Sequence, residues 1–247
     1  MGVEPVMRRL TLLIIVFVLL LMPLNCASAG GPRIVLVHGW LGSGFDLLYI
    51  QTRLSRDGYN AEPVSFTNRG VAGSIADYSA ELAVALRELP GRQEIILICH
   101  SMGGLVARHC VRNNVDIPVR KVITLGTPHH GTTNSRLAPD KSTSAKEMAP
   151  GSDFLKALST PSEAVPGVQF YSIWTPTDGV VSPAESSVMC GAVNYTVTAM
   201  GLNHVSLLAS DTVYSHIRDI VAGNPPEPSG PQSQCMPEQA TKPLRIL

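Results

Sequence analysis

The chain has 247 residues, of which 45% are apolar and 15% charged, with 21 Gly, 19 Pro and a formal net charge of zero. That length suits one large domain or two small ones, and the apolar share is ample for a core. Wholly disordered, collagen-like and coiled-coil chains are excluded. No Lys/Arg run exceeds the pair Arg8-Arg9, so there is no basic footprint and no nucleic-acid partner is expected.

Residues 1–29 read as a secretory signal peptide. Arg8 and Arg9 precede an apolar run over 10–21 broken only by Thr11, and Pro23 and Ala27-Ser28-Ala29 follow. A basic start, a short apolar stretch and an A-x-A site predict cleavage after Ala29 and a secreted protein. A membrane anchor is the alternative, but the run falls short of the ~20 residues a spanning helix needs.

The body alternates strands and helices. Residues 33–38 form a short, branched apolar run that suits a strand buried on both faces. Helical spacing follows over 45–56, then a strand over 60–66. Residues 74–89 predict an amphipathic helix with Ile75, Tyr78, Leu82, Leu86 and Leu89 on one side, stopped by Pro90-Gly91. A buried strand over 94–99, a helix over 102–113 and strands over 119–125, 168–173 and 193–199 come next. The last helix is expected over 204–221. Residues 126–167 resist assignment apart from a short helix at 153–159, only two turns long. That is too short to carry a clear apolar stripe. Residues 224–247, with Pro225-Pro226-Glu227-Pro228, read as an irregular, mostly solvated tail after a domain over 30–223. This order implies an α/β fold, an open and mainly parallel sheet of about six strands with helices on both faces. Sites in such folds lie at strand ends.

The strongest chemical signal is His100-Ser101-Met102-Gly103-Gly104, set between a predicted strand and a predicted helix. This is the nucleophile-elbow pattern G-x-S-x-G with Cys99 in place of the first Gly. Small residues must flank the serine where strand and helix nearly touch. The turn holds the Ser101 hydroxyl clear of the sheet at the positive end of a helix.

At this point the chain resembles the α/β-hydrolases, and within them the small secreted bacterial lipases and esterases. Residues 35–42 (Val-Leu-Val-His-Gly-Trp-Leu-Gly), 99–104, 125–132 (Leu-Gly-Thr-Pro-His-His-Gly-Thr), and Asp178 and His204 in their contexts carry the resemblance. It spans roughly residues 33–221. The resemblance implies an α/β-hydrolase fold and a chain order of Ser, acid, His. His204 stands where the family places its histidine, in a loop before the last helix. His109, His129, His130 and His216 fit that position less well. For the acid, Asp178 follows a predicted buried strand through Thr175-Pro176-Thr177; Glu185 is the second candidate. The oxyanion hole needs two backbone N–H groups. The resemblance assigns them to Met102 and Trp40, with His38 supporting the Trp40 loop. Trp40, Leu41 and His129 are expected to line the substrate cleft.

The expected chemistry is acyl transfer by Ser101, His204 and Asp178 on lipid or fatty-acyl esters, with no metal or organic cofactor. A thioesterase, phospholipase or acyltransferase would use the same residues. A non-catalytic binding protein on a hydrolase scaffold is the reading from a different class. A monomer making transient contact with a lipid surface is expected. After signal removal four cysteines remain: Cys99, Cys110, Cys190 and Cys235. Cys99 and Cys110 would lie too far apart along a strand–helix turn to pair, so Cys99 is expected to be a buried free thiol. Chain reach permits Cys190–Cys235, which would pin the tail to the body; four free thiols are the alternative.

Overall fold

The computed structural model describes residues 31–66, 72–91, 93–138 and 141–232. The expected signal peptide, its cleavage point and Cys235 lie outside them. Six strands form one sheet: β1 Arg33–Val37, β2 Ala61–Pro63, β3 Ile95–His100, β4 Val119–Leu125, β5 Gln169–Trp174 and β6 Val193–Thr196. Their order is β2-β1-β3-β4-β5-β6, and every neighbouring pair is parallel. The chain runs outward from β1 to β2, returns past β1 to β3, then builds in the other direction. That reversal puts a topological switch point between β1 and β3, where loops diverge and a crevice opens at the strands' carboxyl ends.

The helices are α1 Leu48–Arg56, α2 Ile75–Glu88, α3 Met102–Asn113, α4 Thr143–Glu147, α5 Asp153–Leu158 and α6 Asp211–Val221. They cover both sheet faces, which explains the unbroken apolar runs of the strands. On one face Ile95, Leu97 and Cys99 of β3 pack with Leu82 and Leu86 of α2 and Leu105 and Val106 of α3. On the other, Ile96 and Ile98 pack with Ile50 and Leu54 of α1 and Val213 and Ile217 of α6. α2 starts where Ser74 accepts the Asp77 N–H at 3.0 Å while the Asp77 carboxylate accepts the Ser74 N–H at 2.9 Å. This reciprocal cap is worth about 1 kcal/mol.

Three expectations need correction. β2 is an edge strand of three residues that ends at Pro63, which has no N–H to donate. β6 ends at Thr196, three residues early. The last helix does not begin at residue 204. A single turn at Ser206–Ala209 comes first, then Ser210, in extended conformation, caps α6 by accepting the Val213 N–H. The segment 126–167 holds α4 and a single turn at Thr133–Leu137 besides α5. Residues 224–232 are irregular and largely exposed, yet anchored. Gly230 N–H and Gln232 Nε2 donate to the Asn194 carbonyl at 3.0 and 2.6 Å, and the Tyr195 hydroxyl donates to the Pro226 carbonyl at 2.9 Å. They cover part of the edge that β6 would otherwise present to solvent.

Candidate active site

β3 stops at His100, and α3 starts at Met102. Ser101 between them has φ 54° and ψ −129°, a backbone that costs a non-glycine residue about 1–3 kcal/mol. Packing holds it there. The Ser101 N–H donates to the Leu125 carbonyl at 2.9 Å, and the Ser101 carbonyl accepts from the Gly104 N–H at 3.0 Å and the Thr127 hydroxyl at 2.8 Å. A Cβ on Gly103 would sit 2.7 Å from the Val37 carbonyl oxygen, and one on Gly104 would collide with Thr127. Only glycine lets the helix approach β1 and β4 this closely. Cys99 is fully buried in the core, and burial pushes its thiol well up, so it packs as a neutral group.

Asp178 and His204 meet behind this turn, both buried. His204 Nδ1–H donates to Asp178 Oδ2 at 2.8 Å. The other carboxylate oxygen accepts the N–H groups of Val180 and Val181 at 3.0 and 2.6 Å. The His204 N–H also donates to the Asp178 carbonyl at 3.0 Å. The acid is thus held from two sides and fixes the imidazole tautomer, leaving Nε2 with a lone pair. Gly126, at φ 56°, makes room: a Cβ there would lie 2.9 Å from Asp178 Oδ2 and 3.2 Å from His204 Nδ1. No hydrogen bond joins Ser101 Oγ to His204, but both line one cleft. Glu185, the second acid candidate, is exposed on a single turn at Ala184–Ser187.

The loop after β1 forms the facing wall. A tight turn closes with Gly42 N–H donating to the Gly39 carbonyl at 3.1 Å, and Leu41 takes φ 55° within it. His38 Nδ1–H donates to the same Gly39 carbonyl at 2.9 Å. A Cβ on Gly39 would lie 2.9 Å from Ser101 Cβ, so this loop abuts the serine. Met102 opens α3, so its N–H has no intrahelical acceptor.

The cleft has a volume of about 460 Å³. Trp40, Leu41, Val180, Val205, Leu208 and Ala209 give it an apolar lining, with Asp46 and Tyr49 at its polar side. Leu41 and Val205 are 64% and 66% exposed at its mouth. His129 corrects an expectation: it is fully buried and does not line the cleft. Thr124 Oγ1 and Arg108 lie 3.2 and 3.4 Å from its ring nitrogens, on the side of α3. His130 bonds Glu163 at 2.6 Å. His109 bonds Ser79, and His216 bonds the Thr212 carbonyl on α6. His100 is the residue the sequence reading missed: it lines the cleft and touches His204.

Cys99 and Cys110 are free and buried, as expected of Cys99. Cys190 is engaged and does not titrate as a thiol. Its N–H donates to Glu163 Oε2 at 2.7 Å, and potential ligand atoms of His130, Glu163 and Cys190 lie within 4.8 Å of one another.

The alpha/beta hydrolase family model matches residues 34–222, and the chain belongs to that family. The fold is similar to the mature form of the Bacillus licheniformis lipase BlEst2, at TM-score 0.65 and 20% identity over 78% of this chain and 93% of that one. Aspergillus fumigatus lipase B aligns at TM-score 0.69 and 14% identity, over 81% of this chain and 54% of its own. A pyrethroid hydrolase from Sphingobium faniae aligns at TM-score 0.53 and 17% identity, over 77% and 97%. No curated protein matches the sequence at a significant level.

Proposed function

We propose that this α/β hydrolase is a secreted serine carboxylic-ester hydrolase acting on lipid or fatty-acyl esters. The observation that carries the reading is the buried 2.8 Å bond from His204 Nδ1 to Asp178, in the same cleft as a serine at a strained strand–helix turn. His204 Nε2 takes the Ser101 proton as Oγ attacks the ester carbonyl carbon. The Met102 and Trp40 amides bind the oxyanion. The tetrahedral species collapses, the C–O bond to the alcohol breaks, and His204 returns the proton to the leaving oxygen. Water then repeats the cycle on the acyl-enzyme and releases the acid. Trp40, Leu41, Val205 and Leu208 supply apolar surface for the acyl chain.

Covalent labelling of Ser101 by a fluorophosphonate tests the reading against a non-catalytic scaffold; an unlabelled protein rejects it. Hydrolysis of p-nitrophenyl esters of increasing chain length, set against thioesters and phospholipids, tests the substrate class. Preference for either of the latter would favour the thioesterase or phospholipase alternative. Export rests on residues 1–29, and the secreted protein should begin at Gly30. A Cys190–Cys235 disulfide is part of the same proposal. An alkylatable Cys190 thiol in the unreduced protein would reject that pairing.

A further inference from the structure

His100 stands one residue before Ser101, is buried, and has no part in the chemistry set out above. Its Nε2 lies 3.0 Å from the His204 carbonyl oxygen, a group 104 positions away in the chain. A carbonyl only accepts, so Nε2 carries the proton and donates. The two imidazoles also pack against each other, with centroids 4.6 Å apart at a 46° tilt. On its other side the His100 ring abuts the β1 loop: a Cβ on Gly39 would come within 3.2 Å of its Nδ1. One side chain therefore touches the loop that holds the base and the loop that carries the Trp40 amide, while its backbone carries Ser101.

We propose that His100 is a positioning residue: its Nε2–H clamps the His204 carbonyl and sets the height of the His204 ring over Ser101. The proposal rests on the hydrolase reading above. Asp178 fixes the plane of the His204 ring through Nδ1 and holds the His204 N–H through its own carbonyl. The His204 carbonyl is the backbone group still to be held, and His100 holds it. The choice of histidine follows from the surroundings. The titratable groups near its ring are His204, Asp178 and Asp46. Burial, reinforced by His204, pushes His100 down to about 4, against the opposing pull of its own bond to the His204 carbonyl and of the two aspartates. It therefore stays neutral at the pH where the base works. A lysine or arginine making the same bond would put a fixed positive charge beside an imidazole that must itself become positive.

The test compares His100→Phe, which keeps a ring and loses the donor, with His100→Gln, whose amide Nε2–H reaches the same carbonyl. Small displacements of a catalytic group cost up to about 100-fold. His100→Phe should lower kcat about 10–100-fold with KM within about threefold, and His100→Gln should recover to within about threefold of the parent. Amide hydrogen exchange over residues 201–206 should quicken in His100→Phe and not in His100→Gln. Parent-level kcat in His100→Phe, or equal impairment of both variants, overturns the proposal. Should His100→Phe fail to fold, His100→Asn takes its place. Its shorter amide mimics Nδ1 rather than Nε2, so it should stay impaired where Gln recovers, and equal rates for the two overturn the clamp. If the parent protein is neither labelled by fluorophosphonate nor active on esters, the hydrolase reading fails on its own. The exchange comparison then still decides whether His100 holds the 201–206 loop.

Discussion

Leu41 and Ser101 are the two described residues other than glycine with positive φ, at 55° and 54°, and both border the same cleft. Strain of this kind persists only where surrounding structure imposes it, and it gathers at functional sites. At Ser101 the strain lifts a hydroxyl to the end of α3, so removing the hydroxyl and removing the strain are separable experiments. Ser101→Ala keeps a Cβ in the strained conformation, whereas Ser101→Gly does not. Both should lose at least ~10⁴-fold in kcat. Ser101→Gly should nonetheless be the more stable of the two by about 1 kcal/mol, read from urea unfolding. Identical midpoints would mean the turn carries no strain. The acid is tested in the same way. Asp178 accepts three hydrogen bonds from His204, Val180 and Val181, while Glu185 is exposed. Asp178→Asn should therefore cost about 10⁴-fold in kcat, and Glu185→Gln should leave kcat unchanged. The reverse pattern would reassign the acid.

α3 does more than follow the Ser101 turn. Two arginines one turn apart on it reach the segment before β5. Arg112 donates to the carbonyls of Thr160, at 3.0 Å, and Ser162. The fully buried Arg108 donates to Ser159 Oγ and the Glu163 carbonyl, both at 3.4 Å. None of the described residues between 126 and 167 lines the cleft, so Arg112→Ala should loosen 159–163 without touching the chemistry. Hydrogen exchange there should quicken while kcat on a short-chain ester holds; a matching fall in kcat would show the segment coupled to the cleft. These arginines also explain why 126–167 was the least legible part of the sequence. Its helices, Thr143–Glu147 and Asp153–Leu158, are too short for periodicity to register, and its order comes from partners some fifty positions away. β1, β3, β4 and β5 were legible because burial on both faces writes a continuous apolar run. α2 was legible from its apolar stripe and stop signal. The start of α6 was misread because the single turn at Ser206–Ala209 continues the apolar spacing until Ser210 interrupts it. Ser101 could be singled out from its strand–serine–glycine pattern, whereas Asp178 and His204 were singled out through the chain order that the resemblance implies. His100 and His129 could not. Both are histidines beside a motif, and only tertiary contact distinguishes the one on the His204 carbonyl from the one beside Arg108 and Thr124.

At the scale of the whole molecule, the fold favours the neutral form of His100, His109 and His129, and this bears on its behaviour in acid. Burial pushes His100 down to about 4 and His129 well below its ordinary value, the latter with help from Arg108 and His130. Burial also lowers His109, aided by Arg112. In the unfolded chain these imidazoles take up protons near about 6.5. In the folded protein His100 and His129 do not follow until well below that. Between those values the unfolded state binds more protons than the folded one, so stability rises with pH there and is lost on acidification. The contribution is fully present above about 6.5 and drains away as pH falls toward 4. At about 1.4 kcal/mol per unit of pKa, His100 alone accounts for about 3 kcal/mol by pH 4. Urea unfolding at pH 7, 6, 5 and 4.5 should give midpoints that fall steadily below pH 6.5, and a constant midpoint down to pH 5 would contradict the buried neutral state. In the proposed mechanism activity should also fall in acid for a separate reason, because a protonated His204 cannot accept the Ser101 proton. The two losses differ in recovery. Protonation of His204 in folded protein reverses at once on neutralisation, whereas acid-unfolded protein regains activity only as fast as it refolds. Stepping the pH back to 7 after brief exposure to pH 5 should therefore restore full rate without a lag, and a lag at pH 5 would place the stability loss higher on the pH scale than these histidines allow.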